Sequence, residues 1–166
     1  DGNEIIHNQE RGFIDDLDSL PFPARHLRRY KYHMALIRNR EHDVLTTSRG
    51  CWGRCSFCCE PSMSKSQQRY RSPENVMTEI LEIVQFHNEK PLYVEITDPH
   101  FMGRPKRIEQ LCDLLAQHDL DIKFIAKVRA DSMASSPDIV RKMIDVGIDS
   151  FELGIESPIA RDIKST

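Results

Sequence analysis

Short apolar runs with strand character alternate with longer amphipathic segments, and this alternation constrains the fold more than any other feature of the sequence. The strand-like runs are predicted at residues 43–48, 91–97, 122–128 and 150–156. In the segments between them, apolar residues recur every three or four positions, which is typical of helices that pack on one face. Alternating strands and helices favour a parallel sheet covered by helices. The sequence therefore predicts an α/β fold with about four βα units.

Local cap residues predict where two of the helices begin and end. Ser72 stands directly before Pro73, an order typical of an N-cap followed by the first helical residue. Ser136 and Pro137 repeat this order before the last helix, and Gly147 is placed to end that helix.

Polar residues gather at the predicted C-terminal ends of the strands. They are Arg49 to Cys59, Thr97 to His100, Arg129 to Ser132, and Glu156 with Ser157. Right-handed crossovers bring these ends to one edge of a parallel sheet. Because that edge holds the active site in parallel α/β folds, we expect the functional residues to meet there.

The cysteines are distributed for metal binding or redox chemistry rather than for disulfides. Cys51, Cys55, Cys58 and Cys59 share one short loop, whereas a disulfide framework spreads its cysteines along the chain. The sequence shows no signal peptide, so we expect a reducing, cytoplasmic compartment. Cys112 stands alone in an apolar helical pattern and is predicted to be a buried small hydrophobe.

Zinc and an iron–sulfur cluster are the two metal candidates for this loop. Structural zinc normally takes four ligands in two separated pairs, and no second Cys or His pair follows at that spacing. Cysteine thiolates also hold iron–sulfur clusters. A cluster with three protein ligands leaves one iron open to another molecule.

The motif CWGRCSFC, placed directly after the first predicted strand, resembles the signature of the radical S-adenosylmethionine (SAM) superfamily. The resemblance implies that Cys51, Cys55 and Cys58 hold a [4Fe–4S] cluster whose open iron is chelated by SAM. An electron from the cluster would cleave SAM to a 5′-deoxyadenosyl radical. Cys59 is expected to lie outside the ligand set.

The family core usually has six βα units, so the resemblance implies that residues 42–166 are the N-terminal part of a partial (β/α) barrel. The last predicted strand would then lack a neighbour on one side. We therefore expect Phe151, Leu153 and Ile155 to be partly exposed.

The resemblance also implies contacts to SAM. Phe57 is expected to lie against the adenine, with packing of the loop as its alternative role. The family often has Gly-Gly-Glu after the second strand, where this chain has Ile96, Thr97, Asp98 and Pro99. Backbone contacts from Thr97 and a contact from Asp98 are the corresponding expectations.

Three further residues are implied as SAM contacts. Arg129 could pair with the methionine carboxylate as a planar fork, or form a surface ion pair instead. Glu156 matches the position that binds the ribose hydroxyls. Ser157 could assist Glu156 or cap the next helix. His100 could contact substrate or face solvent in a loop.

The segment LDSLPFPARHL, followed at a distance by TSRGCWGRCSFC, resembles the cobalamin-dependent branch of the family. Anaerobic magnesium-protoporphyrin monomethyl ester cyclases and hopanoid methylases belong to that branch. Residues 1–41 are accordingly predicted to be a linker that follows an upstream cobalamin-binding domain, whose Asp-x-His-x2-Gly motif this sequence lacks. The implied function is a radical enzyme of methyl transfer or oxidative cyclisation. The alternatives are a methylthiotransferase-like radical enzyme and a non-catalytic metal-binding module.

The composition limits the classes of partner that we expect. The net charge of −3, from 23 basic and 26 acidic residues, shows no excess of positive charge of the kind that binds nucleic acid. No apolar run approaches the roughly 20 residues that span a bilayer. The expected partners are a small-molecule substrate and an electron donor such as flavodoxin or ferredoxin.

Overall fold

Six strands and five α-helices lie in the part of the chain that the computed structural model describes, which is residue 5, residues 8–30 and residues 39–155. The strands are β1 (Glu41–Leu45), β2 (Ser48–Arg49), β3 (Arg69–Tyr70), β4 (Leu92–Ile96), β5 (Ile122–Val128) and β6 (Ile148–Leu153). The helices are α1 (Glu60–Ser64), α2 (Pro73–Phe86), α3 (Pro105–Leu115), α4 (Ala130–Ser135) and α5 (Pro137–Asp145). No helix in these ranges is long and apolar enough to cross a membrane.

The main sheet is parallel throughout, in the order β1-β4-β5-β6. Its register aligns Leu45 with Ile96, Ile96 with Ala126, and Ala126 with Phe151. Helices α2, α3 and α5 cover one face and contact one another in that order. This arrangement confirms the predicted α/β fold of partial barrel type.

Alternate strand residues point into the core beneath these helices. The innermost positions of β4 and β5 are Leu92, Val94, Ile96, Ile122, Phe124 and Ala126. Cys112 on α3 is 1% exposed, and burial raises the pKa of its thiol to about 12. The prediction that Cys112 is a buried hydrophobe is therefore confirmed.

Two strand predictions differ from the structure by more than one residue at an end. The run predicted at 43–48 divides, because the chain leaves the main sheet after Leu45 and Ser48 pairs instead with Tyr70 of β3 in an antiparallel ladder. The bend is held by the backbone N–H of Arg71, which donates to the Thr47 carbonyl at 3.0 Å. The last strand, predicted at 150–156, begins earlier, at Ile148, and ends earlier, at Leu153.

Only one of the two predicted serine caps forms a capping hydrogen bond. The Ser72 hydroxyl accepts a hydrogen bond from the backbone N–H of Asn75 at 3.1 Å, so the predicted cap of α2 is confirmed. Ser136 precedes Pro137 as predicted, but its side chain makes no capping hydrogen bond. Gly147 follows α5 with φ of +89°, as expected for a residue that ends a helix.

The N-terminal segment, residues 8–30, packs against the domain through charged side chains. Arg25 is 8% exposed and lies 3.3 Å from the Asp43 carboxylate and 2.6 Å from that of Glu79. The Asp18 carboxylate accepts a hydrogen bond from the backbone N–H of Ser72, at the start of α2. Part of the predicted linker is thus held on the domain, while its role in joining an upstream domain stays a prediction.

Candidate functional site

The cysteine loop follows β2 and runs into α1, at the C-terminal edge of the main sheet. Gly50 opens the loop with φ of +83°, and a Cβ there would lie 2.1 Å from the backbone oxygen of Gln67, so no other residue fits this turn without a shift. Cys51 and Cys55 are half-buried, whereas Cys58 and Cys59 are exposed. All the cysteines are free thiols.

Each of the three motif sulfurs accepts one N–H hydrogen bond. The backbone N–H of Gly53 donates to Cys51 Sγ at 3.3 Å, and that of Glu60 donates to Cys58 Sγ at 3.4 Å. The guanidinium of Arg129 donates to Cys55 Sγ at 3.4 Å. Hydrogen bonds of this kind stabilise thiolates that bind metal, so the donor set of the loop fits an iron–sulfur cluster.

Cys59 differs from the other three loop cysteines. Its carbonyl accepts hydrogen bonds from the backbone of Ser62 and Met63 in the first turn of α1. Among the described residues, no hydrogen bond reaches its sulfur. Cys59 thus serves the start of the helix, in keeping with its expected place outside the ligand set.

No three His, Cys, Asp or Glu side chains in the described ranges lie close enough together to hold one metal ion. A cubane does not need that geometry, because each thiolate binds a different iron atom. Burial raises the pKa of the Cys51 thiol, while the Gly53 amide and the Arg129 charge act in the opposite direction.

Polar side chains that follow β4 and β5 meet beside this loop, as expected from the topology. The ring of Trp52, inside the cysteine motif, packs edge-on against His100 with centroids 5.7 Å apart. The guanidinium of Arg129 lies 5.4 Å from the centroid of the Trp52 ring. His100 Nε2 and the Ser132 hydroxyl share a hydrogen bond of 3.2 Å.

His100 is wholly buried, so the alternative that it faces solvent is wrong. Burial, together with the nearby charge of Arg129, lowers the pKa of His100 to about 4. Its imidazole is therefore neutral near pH 7 and packs between Trp52 and Ser132. His100 therefore packs beside the cysteine loop and supports it.

Asp98 is also wholly buried, and both of its carboxylate oxygens accept hydrogen bonds from within the protein. The donors are the Thr47 backbone N–H and hydroxyl, both at 2.6 Å, and the Ser48 hydroxyl at 2.7 Å. The carboxylate therefore ties the end of β4 to the bend that leads into the cysteine loop. A direct contact to SAM stays a prediction.

The remaining predicted SAM contacts are Phe57, Thr97, Arg129, Glu156 and Ser157. Phe57 is 57% exposed, and Thr97 is exposed with its hydroxyl 2.8 Å from that of Thr46. Arg129 forms the ion pair that was its alternative role, with the Asp131 carboxylate at 2.8 Å. Glu156 and Ser157 lie outside the described residues.

Sequence reasoning missed the partners that hold the site together. Trp52 offered a signal, since it is the only tryptophan and stands inside the cysteine motif. Asp131 also offered a signal, since it stands only two residues after Arg129. In the structure its carboxylate binds the Arg129 guanidinium. Gln68 gave no signal, although its amide donates to the His100 carbonyl at 2.6 Å.

The model of the radical SAM superfamily matches residues 45–160. The chain therefore belongs to the radical SAM superfamily, as the cysteine motif predicted. The cofactors of this family are a [4Fe–4S] cluster and SAM. Its enzymes also need a reductant and a small-molecule substrate.

Similar proteins carry methyltransferase names. The chain is 27% identical over 116 residues to bacteriochlorophyllide d C-8(2)-methyltransferase of Chlorobaculum tepidum, covering 66% of this chain and 25% of that protein. It is 24% identical over 153 residues to hopanoid C-2 methylase of Rhodopseudomonas palustris, covering 90% of this chain and 27% of that protein. The chain thus spans about a quarter of the length of these curated relatives.

A solved structure shares the fold. It is the cobalamin-dependent SAM radical enzyme OxsB with aqua-cobalamin bound, with a TM-score of 0.61 and 26% sequence identity. The likeness covers 73% of this chain and 19% of that one.

Proposed function

We propose that this chain is the cluster- and SAM-binding core of a radical enzyme, with Cys51, Cys55 and Cys58 as the cluster ligands. One observation carries this proposal: all three sulfurs lie in one loop at the C-terminal edge of the sheet, and each accepts an N–H hydrogen bond. When bound, the cluster supplies the electron that cleaves SAM to a 5′-deoxyadenosyl radical.

The chain's own residues would hold the loop and present an open side to SAM. Phe57 and Thr97 are exposed at this edge and are free to contact a bound molecule. The side chains of Asp98 and Arg129 already form hydrogen bonds within the protein. Their main role in this proposal is therefore to hold the cysteine loop in place. Glu156 and Ser157 are proposed as the ribose contacts on the strength of the motif alone.

Methyl transfer is the reaction that we propose for the whole protein. The names of the curated relatives support this choice over oxidative cyclisation. The likeness to a cobalamin-dependent enzyme supports cobalamin as a further cofactor, held by a domain upstream of a linker at residues 1–41. Flavodoxin or ferredoxin is the proposed electron donor, and the cytoplasm, where thiolates stay reduced, is the proposed compartment.

Anaerobic reconstitution with iron and sulfide tests the cluster. We expect about four iron and four sulfide per chain, as in a cubane. Alanine at Cys51, Cys55 or Cys58 should remove most of this content, because a cubane held by two thiolates is labile. Cys59→Ala is the matched control, since it removes a neighbouring thiol of the same loop, and it should keep the content of the parent.

Two results would overturn the proposal. One is stoichiometric zinc in place of iron and sulfide in the protein as purified and after reconstitution. The other is loss of the cluster in Cys59→Ala with retention in Cys58→Ala, which would show that the ligand set is different.

A further inference from the structure

We infer that Arg129 is a positioning residue for the cluster: through its hydrogen bond to the Cys55 sulfur, it raises the reduction potential of a cluster bound in the loop. This inference rests on the proposed function. It concerns what Arg129 does to the ligand and is independent of any contact with SAM.

The two edges of the Arg129 guanidinium have separate partners. Its Nε and Nη2 donate to the two oxygens of Asp131 at 3.1 and 2.8 Å, forming a fork. Its remaining terminal nitrogen, Nη1, donates to Cys55 Sγ at 3.4 Å. The fork fixes the orientation of the planar group and so aims the third donor at the sulfur.

Asp131 is itself held in place. Its Oδ1 accepts a hydrogen bond from the backbone N–H of Ser132 at 2.8 Å, in the first turn of α4. The arginine is therefore attached to a helix that follows β5, whereas the sulfur belongs to the loop after β2. The fork is the geometry that would bind a methionine carboxylate, and Asp131 already occupies it.

The packing around Gly53 shows how closely the arginine enters the loop. A Cβ at Gly53 would lie 3.3 Å from Cys51 Sγ, 3.5 Å from Arg129 Nη1 and 3.8 Å from Cys55 Sγ. The same guanidinium stacks near the Trp52 ring, between the first two cysteines. Arg129 thus reaches into the turn that separates Cys51 from Cys55.

The charge of this donor decides its effect. The Cys51 and Cys58 sulfurs accept from neutral backbone amides, whereas the Cys55 sulfur accepts from a cation. Hydrogen bonds from charged donors are about twice as strong as neutral ones. Reduction adds one negative charge to the cluster and its ligands, so a cationic donor stabilises the reduced form more than the oxidised form and raises the potential.

The test measures the midpoint potential of the reconstituted chain by a redox titration that follows the electron paramagnetic resonance signal of the reduced cluster. Arg129→Gln should lower the potential. We expect roughly a tenfold shift in the ratio of oxidised to reduced cluster at a fixed poise, which for a one-electron couple is about 59 mV.

Arg54→Gln is the matched control, because Arg54 is an exposed arginine in the same loop, next to Cys55 in the sequence. It removes the same charge without removing a hydrogen bond to sulfur, and it should shift the potential by less than half as much. Arg129→Lys keeps the charge but loses the fork, so it should recover part of the shift.

Arg129→Lys is also a second route if Arg129→Gln binds no cluster. Its single ammonium keeps the charge but is not aimed at the sulfur by a fork, so it should lower the potential below that of the parent by a smaller amount than Arg129→Gln. Equal potentials in Arg129→Gln and Arg54→Gln, or an unchanged potential in Arg129→Lys where that route is used, would overturn the inference. The proposed function fails separately, on the iron and sulfide content of the parent, before any potential is measured.

Discussion

The two outer strands of the main sheet, β1 and β6, differ in what covers them. At β1, Arg25 donates to the Val44 carbonyl at 3.2 Å and binds the carboxylates of Asp43 and Glu79. At β6, Leu153 is 40% exposed, and Ile155, two residues after the strand, is 76% exposed. One edge is thus closed by a buried charge network, while the other presents apolar side chains with no further strand among the described residues.

The β1 edge shows why a segment with the composition of a linker can be structural. The Asp43 carboxylate, 1% exposed, is reached by Arg25, by Arg28 at 3.0 Å and by His87 at 2.8 Å. Glu79 also binds Arg71. Charges buried this deeply are costly unless each is paired, so the N-terminal segment and the domain depend on one another.

The β6 edge bears out the exposure expected of Phe151, Leu153 and Ile155. Unpaired peptide groups and apolar side chains on an edge strand favour pairing with another chain. We therefore expect the chain to associate through this edge.

The largest expected effect is at the closed edge. Arg25→Ala leaves Asp43 and Glu79 buried with fewer partners, and we expect the free energy of unfolding to fall by about 3 kcal/mol. Urea denaturation measures this change. Lys65→Ala is the control, because Lys65 pairs with Glu10 on the surface at 2.8 Å, where solvent screens the pair, and its loss should cost far less than that of Arg25. Equal losses in the two variants would show that the network does not hold the edge.

A smaller effect is expected from acid at the same edge. Burial acts to raise the Asp43 pKa, but hydrogen bonds from His87, Val44 and Arg28 and the charge of Arg25 outweigh it, so the pKa is lowered. The ionised carboxylate therefore stabilises the fold fully above its unfolded pKa of about 3.9, and this contribution is lost as pH falls through the lower folded value.

The measurement is the free energy of unfolding of the metal-free chain and of Asp43→Asn, each at several pH values between about 7 and 2.5. The gap between the two proteins should be constant near neutral pH and should narrow in acid. A gap of the same size at every pH would mean that the pKa of Asp43 is the same in the folded and unfolded chains, so that the buried network does not favour the ionised carboxylate.

The smallest effect on stability is expected at the open edge. Leu153→Lys should change the free energy of unfolding by no more than about 0.5 kcal/mol, because the side chain is already exposed. It should reduce self-association, since lysine on an edge strand opposes pairing. Light scattering after size-exclusion chromatography compares it with the parent and with Ser135→Lys, an exposed position on α4. A parent that is monomeric at all concentrations would contradict the expected association through the β6 edge.

Prediction from the sequence succeeded where the signal is local. The Ser72 cap acts over three residues, the amphipathic helices act over a few turns, and the cysteine motif lies in one loop. It failed where a partner is distant. The first predicted strand was drawn through Thr47 and Ser48, because nothing nearby shows that both bind Asp98, about fifty positions away.

The sequence by itself determined that this protein is an α/β member of the radical SAM superfamily, because strand and helix periods and a three-cysteine spacing depend on neighbouring residues. Only the tertiary structure decided what the charged side chains do. Arg25 finds Glu79 across 54 positions, and Arg129 finds Cys55 across 74. Such pairs depend on how the strands are ordered and how each rotamer packs, and neither is encoded in a local pattern.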